Sequence, residues 1–100
     1  MKHNVIVLDK DNLESYMSEP QLLVVYTAEW CGACKRLIPT LYQLDPKWKV
    51  IIVDAERYFK ANTFFPGGVN FYPTMAHFER GYFMGEIKDH QIVQGDLEIQ

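Results

Sequence analysis

Apolar residues come along this chain in short blocks, and the spacing inside the blocks changes from one to the next. Val5-Ile6-Val7-Leu8 is a continuous apolar run and reads as a short buried strand. Asp11-Asn12-Leu13-Glu14 then has the pattern of a helix cap. Leu13, Tyr16 and Met17 supply one apolar face, and Pro20 ends the helix. Leu22 to Thr27 is apolar and β-rich without alternation, as in a central strand covered on both faces. Leu37, Leu41 and Leu44 recur at helical spacing with Ile38 beside them. Pro39 lies inside that helix and is expected to kink it, because it removes a backbone donor and crowds the preceding turn. Asp45-Pro46 closes it, and Val50 to Val53 is a second covered strand ending at Asp54. A strand, a helix and a strand in this order predict a parallel pair joined by a right-handed crossover.

Past Asp54 the pattern loosens. Ala55 to Asn62 is expected to be helical, with Phe65-Pro66-Gly67-Gly68 as a breaker. Thr74–Glu79 and Tyr82–Ile87 flank Arg80-Gly81, which predicts a hairpin. From Asp89 to Gln100, Ile92, Leu97 and Ile99 form a face interrupted by Gly95, as in a short or frayed helix. The 100 residues show no repeat or linker and read as one α/β domain, 1–100.

Composition narrows the function. Hydrophobic residues make up 48% and charged residues 23%, the balance of a soluble globular protein rather than a disordered one. The net charge of -3 and the lack of a lysine/arginine cluster argue against a nucleic-acid partner. Lys35-Arg36 and Lys47/Lys49 are the densest basic spots and read as solvated faces. The N-terminus lacks the long apolar stretch and cleavage site of a secretory signal. The longest strongly apolar run, Leu22 to Tyr26, is far too short to span a membrane. A cytoplasmic location without a membrane partner is the expectation. Structural disulfides are rare in that compartment, so a close cysteine pair there points to catalysis or metal binding.

Both cysteines lie in one segment, TAEWCGACKRLIP, at 31 and 34. The preceding block ends a central strand and the following one starts a helix, so Cys31 falls at a helix N-terminus. Free N–H groups and the helix dipole favour an anion there, and the thiolate is the reactive form of cysteine. Cys34 is three residues on and faces the same side, a spacing that suits an intramolecular disulfide. Cys31 can thus attack a substrate disulfide and Cys34 can resolve the mixed disulfide. Gly32 and Ala33 leave the Cys31 sulfur approachable, Trp30 supplies an apolar wall, and Lys35 adds a modest positive field. A closed zinc site needs four ligands, whereas His3, His77 and His90 are scattered, so no metal is expected. Simple core filling is the remaining alternative, since cysteine is often buried.

These residues resemble those of the thioredoxin family. AEWCGACK at 28–35 is similar to the family's active-site segment, WCGPCK. Pro39 stands where the family has its helix-kinking proline, YPT at 72–74 matches the cis-proline loop, and Phe78 to Gly81 matches the turn into the last strand. The resemblance implies a thioredoxin fold: a central mixed β-sheet of about five strands flanked by helices, with a short C-terminal helix. It implies a thiol–disulfide oxidoreductase that reduces protein disulfides, with Cys31 as nucleophile and Cys34 as resolving residue. Trp30, Gly32, Ala33, Tyr72 and a cis Pro73 would hold the substrate strand. No cofactor is implied. The partners would be protein disulfides and a thioredoxin-reductase-like electron donor, with the chain acting as a monomer. The alternative is a thioredoxin-fold binding module or subunit in which the cysteines are dispensable.

The chain departs from the family pattern in ways that bear on chemistry. Ala33 replaces the usual proline, which frees the loop and suggests a less strongly reducing pair. Val25 stands where the family has a buried aspartate, and Val50 where it has the lysine partner, so both polar groups are lost together. Proton transfer from Cys34 must then use water or another group. Thr27 replaces a second tryptophan. The stretch from Asp54 to Pro73 is longer than usual and aromatic, with Tyr58, Phe59, Phe64, Phe65, Phe71 and Tyr72. Those rings read first as core filling and second as a groove wall. Phe71 replaces a residue that is often small in the substrate groove, and Asp89 occupies the position of a groove glycine.

Overall fold

The strand that carries the cysteine segment, β2 (Leu22–Thr27), is buried at every position. Alternate residues of a strand point to opposite faces, and each face of β2 meets its own core. Leu22, Val24 and Tyr26 join Leu13, Ile51, Val53, Ala76 and Phe78 on one face. Leu23 and Val25 join Leu37, Leu41, Val50, Ile52 and Met75 on the other. That double coverage is why the segment is apolar without alternation.

The computed structural model describes residues 4–93. It contains a five-stranded sheet in the order β1-β3-β2-β4-β5. β1 is Val5–Val7, β3 is Lys49–Asp54, β4 is Thr74–Glu79 and β5 is Tyr82–Ile87. β1 and β2 both run parallel to β3, with Leu23 opposite Val50 and Thr27 opposite Asp54. β4 is antiparallel to β2, and β5 to β4, so the sheet is mixed. Helix α1, Gly32–Leu44, connects β2 to β3, with Leu37 and Leu41 in the second core. Pro39 lies within α1, and Asp45, with a φ of 48°, ends it just before Pro46.

The hairpin turns through Arg80 and Gly81, whose φ values of 50° and 89° are both positive, as a two-residue primed turn requires. Helix α2 is Phe59–Asn62 and α3 is Asp89–Val93. The tail helix expected as far as Gln100 lies, past Val93, outside the described residues.

Three expectations are corrected. The first strand stops at Val7, one residue early. The segment after Asp11 makes only a single 3-10 turn, Leu13–Tyr16, without a side-chain cap. The Asp11 carboxylate is used elsewhere: it accepts the Lys60 and Ala61 N–H groups at 3.1 and 3.2 Å and so caps α2 across the fold. The helix expected over Ala55–Asn62 forms only from Phe59, because Asp54 holds the preceding residues in a turn. Its carbonyl accepts the Arg57 and Tyr58 N–H groups, and its Oδ1 accepts the Glu56 N–H at 3.1 Å.

Candidate active site

β2 delivers the chain to the upper edge of the sheet, where the Ala28 carbonyl accepts the Cys31 N–H at 3.1 Å. Cys31 is the N-cap residue of α1, with extended backbone angles of φ -79° and ψ 105°. Its Sγ accepts the Cys34 N–H at 3.1 Å, the position a capping oxygen would take. One of the otherwise unpartnered donors of the first turn is therefore aimed at sulfur, which favours the thiolate over the thiol. The two cysteines form a disulfide, with Cα atoms 5.3 Å apart, inside the ordinary range for such a bond. Core filling by two unlinked cysteines is thereby set aside.

Cys31 is 4% exposed and Cys34 1%, so both residues are buried and Cys31 is the more accessible of the two. Trp30 is 68% exposed beside it. Its indole Nε1–H donates to Glu56 Oε1 at 2.9 Å, and its ring meets Tyr72 edge-on at 5.7 Å. Ala33 and Tyr72 pack directly against the cysteine cluster with Ala28. Gly32 is exposed, and a Cβ there would meet only the guanidinium end of Arg36 at 3.6 Å. The Tyr72–Pro73 peptide bond is cis. Pro73 lines a neighbouring cleft of about 470 Å³ together with Phe71, Met75 and Asp89. Phe71 and Asp89, singled out from the sequence as groove positions, thus share one depression, and Lys88 Nζ lies 5.9 Å from the Phe71 ring centre.

The turn after β3 completes the surroundings. Glu29, Trp30, Asp54, Glu56 and Arg57 border one shallow depression. Burial, and then the Glu56 and Asp54 carboxylates, push the Tyr72 phenol above its usual range, so it stays protonated. Sequence reasoning missed Glu56, and only the turn after Asp54 brings it to Trp30. Val25 and Val50 are fully buried in the same apolar core, so neither position carries a charge there. Thr27, in the place of a second tryptophan, is buried and donates its hydroxyl to the Val53 carbonyl at 2.9 Å. Of the aromatic residues between Asp54 and Pro73, Tyr58, Phe64, Phe65 and Tyr72 pack on the core. Phe59 and Phe71 remain 70% and 57% exposed.

The sequence model of the family described as Thioredoxin matches residues 4–96. The chain belongs to the thioredoxin family. Among thioredoxin-family relatives, a protein disulfide isomerase-like 2-2 of Oryza sativa subsp. japonica is 33% identical over 94 residues, covering 86% of this chain and 25% of that one. A thioredoxin of Chlamydia caviae is 29% identical over 87 residues, covering 77% of this chain and 76% of that one. The chain spans only 25%, 18% and 19% of the length of three disulfide isomerases it matches, from rice, Aspergillus niger and Neurospora crassa. A Schistosoma mansoni thioredoxin structure superposes with a TM-score of 0.78 at 23% identity, covering 98% of this chain and 96% of that one. A mutant thioredoxin from Halobacterium salinarum NRC-1 gives 0.75 at 20% identity, covering 100% and 96%. At such identities the likeness is one of fold, and it is the thioredoxin fold expected from the sequence.

Proposed function

We propose that this chain is a thiol–disulfide oxidoreductase that reduces protein disulfides. The observation that carries the reading is the Cys34 N–H aimed at Cys31 Sγ in a pair that closes into a disulfide under the exposed Trp30. In the reduced protein, the Cys31 thiolate attacks one sulfur of the substrate and releases the other as a thiol. Cys34 then attacks Cys31 Sγ, the substrate leaves as its second thiol, and the disulfide remains on the protein. Trp30, Gly32, Ala33, Tyr72 and Pro73 form the surface against which the substrate strand lies. The relatives named disulfide isomerases support proteins, rather than small molecules, as the substrate class. The electron donor in this reading is a thioredoxin-reductase-like protein, and the chain works as a cytoplasmic monomer without a cofactor.

Replacing Cys34 with serine should accumulate mixed disulfides through Cys31, resolved by non-reducing gels and mass spectrometry. Absence of any trapped partner would remove the assigned roles. The Cys31→Ser/Cys34→Ser double variant separates this reading from a binding module, because only the module would survive it. Equilibration in thiol buffers then sets the direction of flux. A potential near about -270 mV marks a reductant, and one toward about -180 mV an isomerase-like role.

A further inference from the structure

Val25 and Val50 are buried and apolar and offer Cys34 no proton acceptor, yet a thiol must lose its proton before it can attack. A cleft of about 230 Å³ lined by Cys34 lies between α1 and β1, β2 and β3. Its walls are mostly apolar. Its polar side chains are Thr27, Glu29, Cys34, Lys35 and Asp54. The Thr27 hydroxyl is already committed to the Val53 carbonyl. Glu29 and Lys35 are exposed, while Asp54 is half-buried at the end of β3. Asp54 is also the anchored carboxylate: its Oδ1 accepts the Glu56 N–H, and Asp54 lines both this cleft and the depression beside Trp30.

We propose that Asp54, through water in this cleft, accepts the proton of Cys34 during resolution of the mixed disulfide. The proposal rests on the oxidoreductase reading above. A cleft of this size with a carboxylate and a thiol on its walls has the room and the polar partners that water needs. The Cys34 Sγ–H proton passes through that water to the Asp54 carboxylate as Cys34 Sγ attacks Cys31 Sγ. The Cys31–substrate S–S bond breaks, its electron pair leaves on the substrate sulfur, and that thiolate takes a proton from solvent. The Cys31–Cys34 bond forms, and the substrate disulfide has gained two electrons. The charged and titratable groups around Asp54 are Glu29 from the turn before α1, Lys35 from α1, Glu56 and Arg57 from the turn after β3, and Tyr72 ahead of β4.

The test separates the two thiols in time. The reduced protein is mixed with the aromatic disulfide 5,5′-dithiobis(2-nitrobenzoate) in a stopped-flow instrument. Attack by Cys31 releases the first coloured thiol, and resolution by Cys34 releases the second. Asp54→Asn retains an oxygen for the Glu56 N–H and so preserves the turn. It should leave the first phase within about twofold and slow the second by about tenfold to a hundredfold near neutral pH, the size of a general-base contribution. The deficit should shrink toward pH 9, where hydroxide replaces the carboxylate, and Asp54→Glu should restore part of the rate. Glu29→Gln should resolve at the wild-type rate.

A purely through-space effect has the opposite sign. Removing a nearby negative charge would ease ionisation of the thiol and speed the second phase. A faster or unchanged second phase in Asp54→Asn overturns the proposal, as does a defect found in Glu29→Gln instead. If the wild-type chain shows no first phase, the oxidoreductase reading fails and this proposal falls with it. A normal first phase with a normal second phase in Asp54→Asn removes the proposal alone.

Discussion

His77 shows how a single residue is set by partners distant in the chain. The imidazole stacks on Trp48 with ring centres 4.2 Å apart, and its Nε2 lies 2.6 Å from Gln21 Oε1. Gln21 in turn donates to Glu79 at 2.7 Å. Desolvation lowers the imidazole below its ordinary value, with Glu79 acting in the opposite direction. The unfolded chain, with an ordinary imidazole near about 6.5, therefore binds more protons than the folded one between the two values. The contribution of neutral His77 to stability is complete above the unfolded value and is lost as pH falls toward the folded one. The urea midpoint should decline on acidification from pH 7.5 to 5.5, and His77→Gln should flatten that decline. An unchanged slope in the variant would assign the dependence to other groups. The sequence pattern had put His77 on the same strand face as Met75 with packing or exposure as its role; the stack on Trp48 is what decides for packing.

Elements here are held by groups outside themselves. Helix α2 is a single turn, too short to be stable alone. It exists because Asp11 caps it and because its Ala61 carbonyl accepts the buried Tyr26 hydroxyl at 2.9 Å. Burial raises the Tyr26 phenol well above its usual range, so it serves only as a donor to that carbonyl at any ordinary pH. Asp11→Ala should cost about 1 kcal/mol, the typical loss of a helix cap, with Asp11→Asn costing less because one acceptor remains. Denaturant titration reads the difference, and equal midpoints for the alanine variant and wild type would deny the cap its role. The cap was assigned from the sequence to the wrong helix, since an aspartate ahead of an apolar pattern signals a local helix start and says nothing of a partner turn far along the chain. Helix α1 was legible for the opposite reason. Its leucine spacing, its first-turn cysteines and its closing Asp45-Pro46 all act within one segment.

For the molecule as a whole, the sheet keeps two apolar cores apart, and the missing polar pair lies in the one under α1. Val25→Asp would place an unpartnered carboxyl at a fully buried position. The expected loss is about 3 to 5 kcal/mol, the cost of an uncompensated buried charge. The introduced carboxyl would have a raised folded value, so the variant should be least damaged at low pH and lose stability as pH rises above about 4. Adding Val50→Lys should recover part of the loss, because β2 and β3 lie side by side and both positions face the same core. If Val25→Asp unfolded at the wild-type denaturant concentration at neutral pH, this core would be wetter than its packing requires.

The sequence by itself determined the parts whose causes are local. Covered strands, the crossover helix, the hairpin and a cysteine pair at a helix start each follow from residues a few positions apart, where backbone geometry closes the distance. The tertiary structure decided what meets the pair from elsewhere. Glu56 reaches the Trp30 indole across 26 residues, and Asp11 reaches α2 across 49. The parallel register that sets Thr27 opposite Asp54 brings the end of β3 to the cleft beside Cys34. No pattern along the chain encodes these meetings. They arise when the sheet orders its strands β1-β3-β2-β4-β5 and packs both faces, because burying the apolar blocks leaves the polar residues to gather at the ends of the strands.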